Sequence, residues 1–146
     1  MKVDSIQNGV VIDHIAPGKA LRIYQLLGLE QLDCPVAILK NVSSRRMGKK
    51  DIIKIDGSLV PDLDILGYVS PDATVDIIEN GAVAEKKHIA LPETLTDIIR
   101  CKNPRCITTT EQEIHHIFRL TDREKREYRC IYCDTKANPQ AGTKAP

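Results

Sequence analysis

Four cysteines stand in two close pairs, Cys101-x4-Cys106 and Cys130-x2-Cys133, and no other stretch of the chain holds thiols so densely. A turn of that length can aim two sulfurs at one point, and two such turns can wrap a tetrahedral ion. Zinc takes four thiolates at about 2.3 Å, and a shell closed by four protein sulfurs leaves no position for water or substrate. The chemistry expected is therefore structural, with one Zn2+ per chain that folds its surroundings and does not catalyse. Disulfides are the competing arrangement. They are disfavoured because the opening MKVDSIQ lacks the apolar core of a secretory signal, which points to a reducing compartment. His115 and His116 are rival ligands, but four cysteines already complete the shell. Cys34, alone before Pro35, reads as a small buried apolar residue.

Outside the cysteines, the residues able to do chemistry are cations. His14, Lys54 and Lys86 each fall on or beside an expected strand, with Asp13 adjacent to His14. Neighbours alternate between the two faces of a sheet, so three strands can each send one donor to the same patch. Lysine suits phosphate as a point charge. The competing reading is a set of solvated surface lysines, and the run RRMGKK reads most simply as a solvated turn. Asp13-His14 could form the base of a nucleophilic site, yet no Ser or Cys sits in a nucleophile motif and no Gly-rich phosphate loop is present.

These residues need elements to position them. VDSI and GVVIDHI read as two β-segments split by Asn8-Gly9, a hairpin signal. Ala20, Ile23, Tyr24 and Leu27 recur at helical spacing, with Pro17 suited to the first turn and Gly28 to a left-handed C-cap. CPVAILKNV and DIIKIDG are strand-like and flank the basic loop SSRRMGKK. LVPDLDILGYVSP predicts a short second helix ended by Pro71, and ATVDII and AVAEKKHIA bracket Asn80-Gly81, a second hairpin signal. This order predicts an α+β fold: an N-terminal ferredoxin-like antiparallel sheet with two helices on one face. LPETLTDIIR then reads as a short linker or helical turn. Its Leu91, Leu95, Ile98 and Ile99 are apolar enough to pack the two modules together. EIHHIFRL and EYRCIYC predict two strands joined by the charged TDREK, completing a small C-terminal β-rich zinc-binding domain. The tail NPQAGTKAP is expected to fray. The predicted boundaries are 1–92 and 93–146.

Composition narrows the classes. With 146 residues and 42% hydrophobic content, the chain is a folded globular protein of one ordinary or two small domains. The longest apolar runs, such as VAIL, fall far short of the roughly 20 residues of a membrane span. We expect a soluble, cytoplasmic protein. A formal net charge of +1 supplies no field for nucleic acid or a membrane surface. Tyr24, Tyr68, Phe118, Tyr128 and Tyr132 are the only aromatic residues, which weakens any base-stacking model.

Taken in order, GVVIDHI, MGKKDIIKI, SPDATVDIIEN, LPE, the C-x4-C-I motif and the distal C-x2-C resemble the regulatory chain of aspartate carbamoyltransferase, co-linearly from about Val3 to Cys133. The resemblance implies a non-catalytic allosteric subunit of pyrimidine biosynthesis. Its N-terminal domain would bind the effectors CTP, ATP and UTP. Its zinc domain would dock on the catalytic chain, and regulatory-chain homodimers would bridge catalytic trimers. The implied nucleotide pocket falls on Val3, Asp4, Ser5, Ile6, Val11, Asp13, His14, Lys54, Ile78, Val83 and Lys86. Of these, Lys86, Lys54 and His14 would face the triphosphate. Val3 to Ile6 with Ile78 and Val83 would enclose base and ribose, and Asp13 would contact the ribose hydroxyls or orient its neighbours. The four cysteines match the implied zinc ligands. Asp76 and Gly81 depart from the family pattern, where an Asn and a Tyr are familiar, and this bears on base selectivity. The alternative is a free-standing zinc-ribbon nucleic-acid binder, favoured superficially by HHIFRLTDREKREYR.

Overall fold

A computed structural model describes residues 3–138, and the chain divides into two compact units, 1–90 and 91–146. In the first, strands β1 (Gly9–Ile15), β2 (Val36–Ser44), β3 (Gly48–Ile55), β4 (Thr74–Glu79) and β5 (Ala82–His88) form an antiparallel sheet in the order β2-β3-β1-β4-β5. The first four strands have the ferredoxin-like order, and β5 adds a fifth beside β4.

Alternation divides the sheet into two faces. Val10 and Ile12 of β1, Ile53 and Ile55 of β3 and Val75 of β4 are buried in one core with Ala20 and Ile23 of helix α1 (Ala20–Leu26) and Leu66 and Val69 of helix α2 (Leu63–Val69). Each of the Val, Leu and Ile side chains contributes roughly 1.5–3 kcal/mol through its removal from water. The residues between them, Val11, Lys54 and Asp76, are half-buried on the opposite face. The helices therefore close one side of the sheet, and the intervening residues form the other.

Local chemistry explains the ends of the helices. Asp62 caps α2 by accepting from the backbone N–H groups of Asp64 and Ile65. Helix α1 has no such cap on its own N-terminal residue, Lys19. Instead Asp51, fully buried on the helix face of β3, accepts from the N–H groups of Gly18 at 3.0 Å and Ala20 at 3.3 Å. Its other oxygen accepts from Asn41 at 3.1 Å. One carboxylate thus ties the helix start to an irregular point of β2. Pro17 lies in the turn before the helix, and Gly28 adopts a φ of 66° after it.

The predicted hairpin at Asn80-Gly81 is present, with positive φ at both residues, 53° and 78°, as a primed turn requires. The one predicted at Asn8-Gly9 is not. Residues 3–6 form no strand because β1 is central, and its two edges are taken by β3 and β4. Gly9 instead begins β1 where a Cβ would lie 2.1 Å from the Ile55 carbonyl oxygen. The basic loop is also shorter than expected, since β2 runs to Ser44 and β3 starts at Gly48.

In the second unit, β6 (Thr94–Thr96), β7 (Ile117–Asp122) and β8 (Glu127–Cys130) make an antiparallel sheet in the order β6-β7-β8, with a single helical turn α3 (Ile107–Thr110). The segment expected as linker thus supplies a strand, in which Leu95 lies opposite Phe118. Leu95, Ile99, Phe118 and Tyr128 are almost wholly buried, and Leu91 and Ile98 are nearly so. Strand β7 begins at Ile117, four residues later than predicted, because the two histidines before it are engaged otherwise. The tail from residue 139 on lies outside the described residues.

Candidate functional site

The four cysteine sulfurs lie within 4.8 Å of one another. A tetrahedral ion with bonds of about 2.3 Å to sulfur separates its ligands by roughly 3.8 Å. Cys101 and Cys133 are 3.6 Å apart and Cys106 and Cys130 3.7 Å. Those distances suit a shared ion and are far longer than the roughly 2 Å of a disulfide bond. The close pairs each join one cysteine of the first loop to one of the second, so an ion here would cross-link both.

The surroundings also fit an ion. The Thr108 hydroxyl donates to the Cys106 sulfur at 3.0 Å, and the Cys133 sulfur lies 3.1 Å from the Thr135 hydroxyl. Cys101 is held from behind, its backbone N–H donating to Nδ1 of buried His116 at 3.0 Å. That nitrogen is occupied as an acceptor, and His115 instead pairs through Nδ1 with Asp97 at 2.6 Å. Among the described residues the histidines therefore stand outside the sulfur cluster. Burial pushes the Cys101 thiol up to about 12 and also raises Cys130. At Cys133 burial acts upward too, but hydrogen bonds from the Thr135 side chain and backbone outweigh it and bring the thiol down to about 6. A bound cation would supply the positive charge that four neighbouring thiolates require. Cys34 lies apart, half-buried against the first unit's core and beside Gly57.

The second candidate site is the sheet face opposite the helices. Strand register places Lys54 of β3 opposite Val11 of β1, Val11 opposite Asp76 of β4, and Asp76 opposite Lys86 of β5. Residues in one register row share a face, so both lysines project from the same surface. Among the described residues neither is in an ion pair with an acid.

Asp13 and His14 join this face through an irregularity. The β1–β3 register shifts between Ile12 and Ile15, and His14 has a φ of 56°. Simple alternation would send His14 toward the helices. The shift instead puts its Nδ1 3.1 Å from the Thr74 hydroxyl, and Thr74 is the register partner of Asp13. Ile15 then returns to the core. Lys50, not singled out from the sequence, contacts Asp13 at 2.9 Å. Burial tends to raise the Asp13 carboxyl, but the Lys50 ammonium, the His14 N–H and nearby positive charge outweigh it and hold the group below its ordinary value.

Val3, Asp4, Ser5 and Ile6 line a pocket of about 300 Å³ with Lys54, Asp56 and the start of β2. Ile78 lies opposite Gly9 and, at the β4–β5 end, opposite Val83, which is exposed. The predicted residues thus belong to the first unit but do not line one enclosed cavity: Val3 to Ile6, outside the sheet, gather at Lys54, while Val83 and Lys86 stand three strands away. A larger cleft, about 540 Å³, is walled by Val10, Leu59, Leu63, Val75 and Ile77. Its lysine, Lys87, already approaches Glu85 at 4.0 Å, so the larger volume lacks the paired cations of the open face.

Comparison with known proteins adds independent findings. Residues 1–90 match the family model described as aspartate carbamoyltransferase regulatory chain, allosteric domain, and residues 93–141 match the corresponding metal binding domain. A protein of Clostridium botulinum named aspartate carbamoyltransferase regulatory chain is 48% identical over 134 residues, 92% of each chain. Proteins of the same name from Bifidobacterium longum and Clostridium tetani are 45% and 46% identical, covering 94% and 92% of this chain and 99% and 94% of theirs.

Proposed function

Because this chain belongs to the family of aspartate carbamoyltransferase regulatory chains, we propose that it binds nucleoside triphosphate effectors on the open face of its first sheet and docks through its metal domain on an aspartate carbamoyltransferase catalytic chain. The observation that carries the effector reading is the row Lys54, Val11, Asp76, Lys86. Lys54, Lys86 and His14 hold the triphosphate of CTP, ATP or UTP. Val3 to Ile6, Ile78 and Val83 enclose base and ribose, and Asp13, neutralised by Lys50, orients the His14 turn.

In the second unit the ion is Zn2+, one per chain, held by Cys101, Cys106, Cys130 and Cys133. It has no catalytic task, since four protein sulfurs fill its shell. A segment of this size builds too small a core by itself, so the ion contributes much of its folding free energy. Exposed Ile131 and Tyr132 lie between Cys130 and Cys133, and exposed Ile107 directly follows Cys106; such apolar residues beside a rigid metal site suit a protein partner. Three arginines of the basic stretch are paired within the unit, Arg119 with Asp134, Arg123 with Glu93 and Arg129 with Glu127. That leaves less uncompensated charge for a nucleic-acid backbone.

The subunit acts as a homodimer in cytoplasmic pyrimidine biosynthesis. It performs no chemistry itself, so its effect on catalysis is a coupling free energy of about 1–3 kcal/mol between effector and active site. An effector exerts it only by binding two states of the assembly unequally. The test is to co-express the chain with an aspartate carbamoyltransferase catalytic chain, isolate the complex and titrate it with each nucleotide. A stable complex that binds nucleotide is expected. Failure to associate, or association only with nucleic acid in a salt-dependent manner, rejects the proposal.

A further inference from the structure

Three of the four cysteines are held by their own loops or by the residues just after them. Cys106, at the start of α3, donates its backbone N–H to the Asn103 carbonyl at 3.1 Å, and Cys130, the last residue of β8, donates to the Thr135 carbonyl at 3.0 Å. The Cys133 N–H is directed at the Cys130 sulfur. Cys101 differs. It lies outside every strand and helix and is nevertheless buried, and its N–H reaches a side chain fifteen residues away, Nδ1 of His116 at 3.0 Å.

His116 is held in turn by the end of a strand pair. Next after Thr96 and Ile117 in the β6–β7 ladder come Asp97 and His116. The Asp97 N–H donates to the His116 carbonyl at 2.7 Å, and the His116 N–H donates to Oδ1 of Asp97 at 2.9 Å. This fixes the His116 backbone, and the imidazole is buried. A backbone N–H can only donate, so Nδ1 accepts from Cys101 and the single ring proton sits on Nε2. The Nδ1 lone pair is spent on Cys101 and is not offered to an ion.

A tetrahedral ion needs four sulfurs that converge on one point. The direction of each sulfur follows from the backbone that carries it. At Cys106, Cys130 and Cys133 local turns fix that backbone, whereas at Cys101 the task falls to a ring from the start of β7. Groups just outside a metal's ligand set commonly orient the ligands, and losing one weakens metal binding ~10- to 100-fold.

We infer that His116, in the tautomer with its proton on Nε2, is a positioning residue for the metal: it sets the backbone at Cys101 so that this sulfur converges with the other three. This rests on the zinc reading given above and adds to that site a residue that is not one of its ligands. The β6–β7 pair is thereby tied to the metal loop through a side chain.

The test measures zinc affinity of the full chain by competition with a chelator. Wild type is compared with His116→Leu, which keeps apolar bulk without an acceptor, and with His116→Asn, whose Oδ1 can take the place of Nδ1. His116→Leu should bind zinc ~10- to 100-fold more weakly, and His116→Asn should recover most of that loss. A residue that only fills space would give the reverse order, with leucine the better replacement. A second measurement needs no variant. Long-range proton–nitrogen NMR correlations on zinc-loaded wild type should show His116 with Nδ1 unprotonated and the proton on Nε2. Wild-type affinity in His116→Leu overturns the inference, as do equal losses in both variants or a proton on Nδ1 in wild type. If wild type itself takes up no zinc, the zinc reading fails instead.

Discussion

Lys54 and Lys86 stand at the two ends of one row across the sheet, with Val11 and Asp76 between them. Three strand spacings of about 4.8 Å put their backbones roughly 14 Å apart. Both side chains are long and flexible, so they can converge on one extended anion lying across β1 and β4. Neither is neutralised by an acid among the described residues, in contrast to Lys50.

Lys54→Ala and Lys86→Ala should each weaken nucleoside triphosphate binding by about 1–3 kcal/mol, the scale of a hydrogen bond to a charged group. Catalysis by the assembled enzyme without effector should change little. Unaltered nucleotide affinity in both variants, read by calorimetry, would reject the open face as the effector site.

Removal of one thiolate, as in Cys106→Ser, opens the tetrahedral shell. The variant should lose its metal and unfold the metal-binding unit, while the first unit keeps its structure. Elemental analysis of wild type should give about one zinc per chain. Limited proteolysis would locate the unfolding. A metal-free chain that still bound the catalytic chain normally would contradict the account.

Much of this organisation was legible in the sequence, for physical reasons that differ by residue. The cysteine cluster could be read because chelation depends on short spacing within two turns. Asn80-Gly81 could be read because a primed turn needs positive φ at both positions, which these residues tolerate. The same signal at Asn8-Gly9 misled, since whether β1 accepts a hairpin partner depends on strands 40 and more residues away in sequence. Thr94–Thr96 was missed because three residues are too few to show alternation. The turning of His14 toward Thr74 depends on a register shift, and the Asp13–Lys50 pair depends on the alignment of β1 with β3. Asp76 was noticed as a departure from the family pattern, but that its Oδ1 is buried without a hydrogen bond among the described residues appears only once its neighbours are in place.

Asp51 should matter more to stability than its charge suggests. Its carboxylate accepts from Gly18, Ala20 and Asn41, and Asp51→Ala leaves those N–H groups without that acceptor, that of Ala20 in a buried position. We expect a loss of about 2–4 kcal/mol in urea unfolding. Asp51→Asn, which retains one carbonyl oxygen, should cost less. A loss below about 0.5 kcal/mol for the alanine variant would show that water or a shifted backbone replaces the carboxylate.

The Asp13–Lys50 pair predicts a pH dependence with a definite sign. Burial raises the Asp13 carboxyl, but Lys50 and the His14 N–H reverse this and leave it below the ordinary 3.8. A carboxyl depressed on folding adds stability above its unfolded pKa, and that stability is lost as pH falls through the folded pKa. Unfolding measured at a series of pH values should show an acid loss beginning near about pH 4 that is shallower in Asp13→Asn. The effect is modest because the pair is partly solvated. An identical acid limb in the variant would mean that the pair contributes nothing.

The central claim is that nucleotide bound on the open face of this chain alters catalysis in a different chain. Aspartate saturation curves of the reconstituted enzyme, with CTP, ATP and UTP each present or absent, test it most directly when wild type is run beside Lys54→Ala/Lys86→Ala. The account predicts that at least one nucleotide displaces the wild-type curve along the aspartate axis and that the doubly substituted enzyme, equally active without effector, does not respond. Curves that ignore every nucleotide, or a double variant that responds as fully as wild type, would contradict it.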